Sequence, residues 1–542
     1  MRAHPRDAGI LDRERIVAQT GFNRWLVPPA AIAIHLCIGM VYGLSVFWLP
    51  LTRVLGGAKS LTCPGMGIAQ ALVTTTCDWR VTDLTWMFEL GIVFLGAAAA
   101  IWGGWLERVG PRRAGVVAAL CWSGGLAVTA LGIAMHQLWV MWLGTGVIGG
   151  VGLGLGYISP VSTLIKWFPD RRGMATGMAI MGFGGGAMIG APLANLLMNR
   201  FRTPDTAGVW QTFLVLAVIY LVFMLGGAFG YRIPPPGWRP DGWTVPVSGA
   251  RRLITAGHVH LRNALRTPQF WLIWAVLCLN VTAGIGVLAL ASPMLQEIFG
   301  GRLIGHPEIG FLQLDAGQKT AIAGIAAGFA GLLSLFNIVG RIVWASFSDQ
   351  IGRKLTYATF FALGICLYAA SPWAAHAGSL ALFVIFMGII LSMYGGGFAT
   401  VPAYLADIFG TSYVGAIHGR LLTAWSVAGL IGPNIVGYLR TARIAAGVPR
   451  DLVYDQAMYV LAALLVAGFV ANLLVRPVAP RWYMTEAEIV EAQHGSAVAQ
   501  SGGYGIGRGG VSPAVLLAWA CVGLPLAWGV YRTVTTALKL FA

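Results

Sequence analysis

Long apolar runs separated by short polar stretches dominate the chain. Thirteen such runs recur, at about residues 27–50, 84–105, 114–134, 137–165, 174–198, 210–231, 268–297, 320–347, 355–375, 378–404, 413–439, 453–475 and 511–531. Each is long enough to cross a bilayer as a helix, which takes about 20 apolar residues. Barrel strands would instead alternate over about ten residues. The pattern predicts an all-α polytopic membrane protein.

The runs fall into two sets of six and one extra. A basic, proline-rich segment separates the two sets, and a glycine-rich stretch precedes the last run. Such a stretch is expected to be flexible. The predicted organisation is an N-terminal cytoplasmic tail (1–26), a six-helix half (27–231), a cytoplasmic central loop (232–267), a second six-helix half (268–475), a polar tail with a glycine-rich linker (476–510) and an additional transmembrane helix (511–542).

Composition and charge support this interpretation. Only 10% of the 542 residues are charged, whereas soluble domains carry about 25%. The net charge of +16 would suggest nucleic-acid binding in a soluble protein, but basic residues also mark the cytoplasmic loops of membrane proteins. With a cytoplasmic N-terminus, 23 Lys and Arg residues fall inside, 12 fall outside and Arg341 lies within a span. We expect a multi-pass inner-membrane protein in the lipid bilayer that does not bind nucleic acid.

One loop pattern occurs after the second run of each half. It reads GGWLERVGPRR over residues 103–113 and GRIVWASFSDQIGRK over residues 340–354. In both copies an acidic residue, Glu107 or Asp349, precedes a glycine by three positions, and basic residues follow. The glycine permits a tight turn, and the carboxylate can pair with a helix N-terminus or an arginine of the other half in one conformation and release it in the other.

These two copies resemble the signature loop of the major facilitator superfamily, Gly-x-x-x-Asp-x-x-Gly-Arg-Lys/Arg. The first copy departs from it at Glu107 and Pro111, and the second departs at Ala345. The resemblance covers roughly residues 25–475. It implies a 6+6 helix bundle, to which this chain adds one C-terminal transmembrane helix.

Further stretches resemble the oxalate/formate antiporter family, which is related to monocarboxylate transporters. They are GGVGLGLGY at residues 149–157, KWFPDRRG at 166–173 and GFGGGA at 182–187. The resemblance implies a secondary active transporter of small organic anions that works by alternating access. The substrate would be a monocarboxylate such as formate, pyruvate or lactate, or the protein would exchange oxalate for formate. The thirteenth run resembles the small single-helix subunit of some of these transporters.

Arg341 is the main candidate for substrate binding. It lies eight residues before Asp349, about 12 Å into the membrane at 1.5 Å per residue. Charged residues at this depth are costly and mark functional sites, and a guanidinium matches a carboxylate geometrically. In the resembled family an arginine of the eighth span binds the substrate carboxylate. The alternative is a structural arginine that bonds a backbone carbonyl or a buried acid.

The eleventh run departs from the resembled family. The antiporter has a lysine where this chain has Trp425. Two fixed cations in the site would match a dianion, whereas one cation matches a monoanion. The sequence therefore favours a monocarboxylate substrate over oxalate. His418 and Arg420, nearer the cytoplasmic start of the helix, are candidates for a second charge or for gating, although Arg420 also fits a cytoplasmic anchor.

Other polar residues are candidates for proton coupling or gating. Glu89, near the outer end of the second run, would accept a proton or face a watery vestibule. His35, in the middle of the first run, would bond the substrate or bridge helices. Asp407 would pair with loop arginines in a gate, or would touch the substrate. The two signature loops would contribute Glu107, Asp349 and Arg353 to the gate. Protons are thus the candidate coupling ion.

Aromatic residues deep in the spans are expected to line the substrate cavity. They are Tyr42, Tyr157, Trp344, Tyr394 and Trp425. Each of them is alternatively a packing or interface residue, as most aromatics in such bundles are.

Motifs for enzyme chemistry are missing from the sequence. No phosphate-binding loop, paired zinc-binding cysteines or His-Glu-x-x-His helix occurs, so we expect no catalytic residue, cofactor or metal. Cys63 and Cys77 fall in an outer loop, where a disulfide would persist. The expected protein is a monomeric carrier; the alternative is a non-transporting carboxylate sensor with the same fold.

Overall fold

The computed structural model describes residues 9–538, apart from 20, 53, 56–60, 62, 64, 204–205, 207, 236, 241–252, 256, 487 and 490–511. Within the described residues, thirteen helices are long and apolar enough to cross a membrane, which confirms the predicted fold class. They are α1 (Arg24–Phe47), α2 (Val81–Val109), α3 (Pro111–Ala134), α4 (Leu138–Trp167), α5 (Arg172–Phe201), α6 (Val209–Gly230), α7 (Pro268–Phe299), α8 (Ala316–Ile351), α9 (Arg353–His376), α10 (Leu380–Phe409), α11 (Val414–Ala445), α12 (Asp455–Leu474) and α13 (Pro513–Ala537).

The two signature loops form the same turn. Gly110, between α2 and α3, has φ +86° and ψ 163°; Gly352, between α8 and α9, has φ +89° and ψ 150°. These positive φ angles favour glycine, which explains why both copies keep it. The membrane face that holds these turns is called the turn face below, and the face that holds Cys63 and Cys77 is called the disulfide face.

Three spans depart from regular α-helix. The second part of α1, Gly39–Phe47, is 3₁₀-helical, and α4 contains a π-helical stretch, Trp142–Ile148, after its first four residues. α11 is interrupted at Leu422. Gly39 allows α1 and α5 to touch, since a Cβ atom there would lie 2.1 Å from the Phe183 carbonyl oxygen.

The segment before α1 and the central segment pack on the turn face. The Ile233 amide donates to the Ile16 carbonyl at 3.0 Å, and the Val259 amide donates to the Phe409 carbonyl at 2.9 Å. On the other face, Cys63 and Cys77 form the expected disulfide. The predicted glycine-rich linker lies outside the described residues.

The thirteenth helix packs against both halves. It contacts α1 and α5 of the first half and α8 of the second. The Trp519 indole donates to the Trp25 carbonyl at 3.2 Å, and Val522 packs on Ile32 and Ala33. α13 therefore lies over the seam where α5 meets α8.

Candidate functional site

Arg341 lies in the middle of α8 and has no exposed surface. Its Nε donates to the Asn337 side-chain oxygen at 2.8 Å, and its Nη1 donates to the Ile180 carbonyl of α5 at 2.9 Å. The guanidinium also lies near the rings of Phe183 and Phe398, at 5.8 and 5.7 Å. These partners are neutral, so the arginine bridges the two halves, and no carboxylate pairs with it in the described part of the chain.

Four of the five predicted aromatic residues gather around Phe183 and Phe398. The Trp425 ring lies 4.5 Å from Phe398 and 5.3 Å from both Phe183 and Tyr157. Tyr42 lies 5.1 Å from Phe183, and Tyr394 lies 5.3 Å from Phe398. We call these six residues the aromatic cluster: Tyr42, Tyr157, Phe183, Tyr394, Phe398 and Trp425.

The cluster joins the two halves at the level of Arg341. The Tyr42 and Tyr394 hydroxyls, one from each half, lie 3.2 Å apart. The Tyr42 side chain also interacts electrostatically with the Arg341 guanidinium.

Three buried donors at this site have no hydrogen-bond acceptor within the described part of the chain. They are Arg341 Nη2, the Tyr157 hydroxyl and Trp425 Nε1. Buried donors without acceptors are costly, and an anion with several oxygens would supply acceptors. The arrangement therefore has the chemistry of an anion site.

Trp344 lies on another side of α8. Its indole donates to the Ser392 hydroxyl of α10 at 3.1 Å, and its ring packs 5.2 Å from Phe360 of α9. These contacts belong to packing inside the second half, so the structure does not bring Trp344 into the aromatic cluster.

His35 lies beside the cluster, 5.2 Å from the Tyr157 ring. Its Nδ1 contacts the Ala179 carbonyl oxygen, and its Nε2 lies 3.2 Å from the Tyr157 carbonyl oxygen. These contacts connect α1 to α4 and α5, as the helix-bridging alternative expects.

His418 and Arg420 have different surroundings on α11. His418 is 1% exposed and lies 5.9 Å from the Tyr157 ring, and neither ring nitrogen has a hydrogen-bond partner among the described residues. Arg420 donates to the Leu261 carbonyl in the central segment at 3.3 Å. This contact is of the kind expected for an anchor on the turn face.

An ion-pair network closes the turn face between α5 of the first half and the ends of α8, α9 and α10. The Asp349 carboxylate accepts the Gly173 and Met174 amides at 2.9 and 3.0 Å, so it caps the positive end of α5. Asp407 accepts from Arg172 at 3.1 Å and from Arg353 at 3.3 Å. Residues from both halves thus hold this face closed.

Glu107 provides a second contact between the halves on the same face. It accepts from Lys166 at 2.5 Å and from the Ser162 hydroxyl at 3.0 Å, both within the first half. It also touches the start of α11, where a Cβ atom on Gly415 would lie 2.5 Å from the carboxylate. The first signature loop therefore meets α11 as the second meets α5.

Glu89 lies apart from these networks, nearer the disulfide face. It is half-buried, and the adjacent Phe88 ring lies 6.4 Å from Tyr42. Tyr42 is partly exposed, and Ser45, one turn further along α1, is exposed. The partly exposed edge of the cluster is thus at Tyr42, toward the disulfide side.

Several residues of the site were not predicted from the sequence. Phe183 lies within the glycine-rich string that suggested the family, and Phe398 follows a similar glycine triplet. Asn337 precedes Arg341 by one helical turn, a spacing that brings side chains together. Arg172 lies in the KWFPDRRG string, and in the sequence it was one of the basic residues assigned to the cytoplasmic loops.

Comparison with known proteins identifies the family. The sequence model of the Major Facilitator Superfamily matches residues 31–433. The chain belongs to the Major Facilitator Superfamily. Within the described residues, the superfamily match spans most of α1–α11, including both signature loops and the Arg341 site. The superfamily proteins that it resembles are transporters and not enzymes.

Several relatives have names that mention carboxylates. The oxalate:formate antiporter of Oxalobacter formigenes is 24% identical over 461 residues, covering 85% of this chain and 92% of that protein. The apicoplast pyruvate carrier 1 of Toxoplasma gondii is 24% identical, covering 72% and 78%. Human monocarboxylate transporter 11 is 25% identical and covers 77% of each chain.

Solved structures support the superfamily fold. FucP in the outward conformation has a TM-score of 0.55 at 14% identity, covering 84% of this chain and all of that chain. The proton:xylose symporter XylE has a TM-score of 0.56 at 13% identity, covering 83% and 95%. At these identities the likeness establishes the fold alone.

Proposed function

We propose that the protein is a secondary active transporter of small monocarboxylates that binds the substrate carboxylate at Arg341. This proposal rests mainly on three buried donors where the two halves meet, Arg341 Nη2, the Tyr157 hydroxyl and Trp425 Nε1, which have no acceptor among the described residues. A guanidinium is permanently charged and forms paired hydrogen bonds with a carboxylate. The aromatic cluster would enclose the short carbon chain.

The number of fixed positive charges at the candidate site favours a monoanion over oxalate. Arg341 is the fixed cation within the aromatic cluster, and Trp425 supplies a neutral indole from α11. A dianion enclosed among buried aromatic rings would leave one charge uncompensated, which is expensive away from water. The carboxylates in the relatives' names support this substrate class, with pyruvate, formate and lactate as candidates.

The contacts between the halves support alternating access. Salt bridges and helix caps at Asp349, Asp407 and Glu107 close the turn face in this conformation. We assign these groups, with Arg353, to a gate that opens when the halves rock about the central site. Glu89, half-buried toward the disulfide side, is a candidate for receiving protons there.

We place the turn face in the cytoplasm, because basic residues concentrate in its loops. The expected location is the inner membrane with a cytoplasmic N-terminus. The transporter would act as a monomer, since one chain contains both halves and the complete candidate site.

A counterflow assay tests the proposed function. Purified protein in liposomes is loaded with one unlabelled carboxylate, and entry of labelled pyruvate, formate, lactate or oxalate is followed. We expect counterflow with monocarboxylates and little with oxalate. Failure of every carboxylate in the panel would contradict the proposal.

Arg341→Ala is expected to abolish counterflow, because the substrate anion loses its counter-charge. Arg341→Lys retains the charge but loses the paired geometry, so we expect at least about a tenfold lower rate, equivalent to roughly 1.4 kcal/mol. Arg420→Ala is the control, since that arginine bonds the central segment on the turn face. Full activity of the Arg341→Ala protein would exclude the site.

A further inference from the structure

The thirteenth helix turns one face toward the bundle. Its buried and half-buried positions include Val515, Trp519, Val522, Leu526, Gly529 and Thr533. Residues at this spacing of three and four lie on one side of a helix. The other side is exposed and carries Leu517, Leu524 and Tyr531, as expected for contact with lipid. α13 therefore has a defined docking face.

The first turns of α13 are attached to α1. The Trp519 indole nitrogen donates to the Trp25 carbonyl oxygen at 3.2 Å. About one turn further on, Val522 packs against Ile32 and Ala33. Because α1 begins on the turn face, these contacts show that α13 runs from the turn face toward the disulfide face.

The middle of α13 is attached to α5 at the depth of Arg341. A Cβ atom on Gly185 would lie 2.8 Å from the Leu526 side chain, and a Cβ atom on Gly529 would lie 3.2 Å from a backbone oxygen of α5. The depth follows from Gly184, where a Cβ atom would lie 3.3 Å from Arg341 Nε. Up to this point α13 is attached to the first half of the protein.

The end of α13 meets the second half. A Cβ atom on Gly331 of α8 would lie 3.1 Å from Thr533 Cγ2 and 4.0 Å from Thr533 Cβ. Gly331 precedes Arg341 by ten residues, which is about 15 Å toward the disulfide face at 1.5 Å per residue. Nearer the turn face, Val339 and Val343 of α8 are 47% and 55% exposed. α13 thus covers α8 on the disulfide side of Arg341.

The bridge formed by α13 crosses the seam where the two halves separate during transport. On the turn side α5 and α8 touch directly, since a Cβ atom on Gly177 would lie 2.6 Å from the Arg341 carbonyl oxygen. On the disulfide side α13 contacts both helices. When two halves rock about a central site, opening of one face separates the helices there. Opening of the disulfide face therefore strains the contact between α13 and α8.

We propose that α13 is a strap across the seam between α5 and α8. It stays attached to the first half, and its end releases α8 at Gly331 each time the disulfide face opens. This inference rests on the proposed alternating-access function. In this conformation the gate on the turn face and the strap are both engaged, and Arg341 has no exposed surface. The strap adds to the free energy needed to open the site toward the disulfide face.

A disulfide between α13 and α8 tests the strap. Gly331→Cys and Thr533→Cys are combined in a protein that carries Cys366→Ser and Cys521→Ser. The Cβ separation of 4.0 Å falls within the range of disulfides, about 3.5–4.5 Å. We expect oxidation to lower pyruvate counterflow in liposomes by at least about tenfold, because the disulfide face cannot open. A reductant should restore the rate.

The matched control ties α13 to the half on which it already lies. Ile189→Cys and Gly529→Cys are combined in the same background, since a Cβ atom on Gly529 would lie 3.2 Å from Ile189 Cγ1. This disulfide leaves the end of α13 free to release α8. Counterflow should be the same in the oxidised and the reduced control. The same reductant acts on the native disulfide in both proteins, so its effect cancels in the comparison.

A distance measurement tests the strap without any substrate. Spin labels are attached to the disulfide-face ends of α5 and α8 in the full chain. Gly331→Leu places a large side chain against Thr533, which should push the end of α13 away from α8. We expect the ratio of long to short distances to rise by about fivefold or more. Gly523→Leu should keep the wild-type distribution, because a Cβ atom there meets nothing within 4 Å among the described residues.

The outcomes separate the strap from the proposed function. Absence of counterflow with every carboxylate in the reduced proteins would contradict the proposed function, and the spin-label distances would still decide on the strap. Full counterflow with the oxidised disulfide between α13 and α8 would overturn the strap. Equal loss of counterflow in the oxidised control would also overturn it, and so would an unchanged distance distribution in Gly331→Leu.

Discussion

Arg341 and Arg353 are both buried, but their different partners suit them to different roles. Arg353 is 8% exposed and pairs with Asp349 and Asp407, so its charge is compensated within the protein. Arg341 is more deeply buried, and its partners are an amide oxygen and a backbone carbonyl. Burying an uncompensated charge is costly. The protein can recover that energy each time an anion binds, which makes Arg341 suited to binding and Arg353 to closing a gate.

Trp425 gives a prediction at the residue scale. Trp425→Lys adds a cation to the aromatic cluster, and its aliphatic stem can replace part of the indole packing. We expect the preference for oxalate over pyruvate to rise by about tenfold or more, since roughly 1.4 kcal/mol of added attraction suffices. Competition of unlabelled oxalate against labelled pyruvate uptake measures the shift.

Trp425→Met is the matched control for this change, because it removes the indole without adding charge. It should lower affinity for both anions and leave their ratio near the wild-type value. An unchanged ratio in Trp425→Lys, or an equal shift in Trp425→Met, would count against charge matching as the basis of specificity.

At the scale of helices, the close approach of α5 and α8 explains how the gate on the turn face is held closed. The start of α5 lies so near α8 that a Cβ atom on Gly173 would be 2.1 Å from the Ala345 carbonyl oxygen. The same glycine donates its amide to Asp349. A small residue, a helix N-terminus and a carboxylate thus act at one point, and separating the two helices breaks the contact and the hydrogen bond together.

Gly173→Ala should weaken closure of the turn face. The methyl group cannot fit against a backbone oxygen, and overpacking of this kind costs roughly 1 to 3 kcal/mol. We expect the population to move toward a conformation open on the turn face. The distance between spin labels attached to the turn-face ends of α5 and α8, in a protein lacking the exposed Cys366 and Cys521, would measure this change.

Gly124→Ala is the matched control for the helix-approach argument. A Cβ atom at Gly124, in α3, meets nothing within 4 Å. This variant should keep the wild-type distance distribution. If Gly173→Ala also keeps it, the close approach of α5 and α8 does not hold the gate.

At the scale of the whole molecule, the sequence predicted the helices well and the site in part. Apolar runs predicted all thirteen spans, because burial in lipid demands long apolar segments. The depth of Arg341 followed from counting residues to Asp349. The sequence did not predict which side chains of a span face the site, because every face of these spans is apolar. Trp344 and Trp425 were both expected to line the cavity, but of these two only Trp425 faces the cluster.

The contacts between distant parts of the chain were the least predictable. The pairing of Asp407 with Arg172 and the two carbonyls around His35 depend on how the two halves meet. The motifs predicted that loop carboxylates would pair with helix ends or arginines, but not which ones. Backbone acceptors leave no mark in a sequence, so the surroundings of His35 emerge only from the fold.

Because the number of spans is odd, the two ends of the chain should lie on opposite sides of the membrane. If the basic turn face is cytoplasmic, the N-terminus lies inside and α13 carries the C-terminus outside. Alkaline phosphatase, which is active only after export, should be active when fused after residue 542. The same enzyme fused after residue 510, before α13, should stay inactive in the cytoplasm. This pair is internally controlled, because the two fusions differ by one helix. The reverse pattern would invert the assigned orientation, and equal activity of the two fusions would show that α13 does not span the membrane.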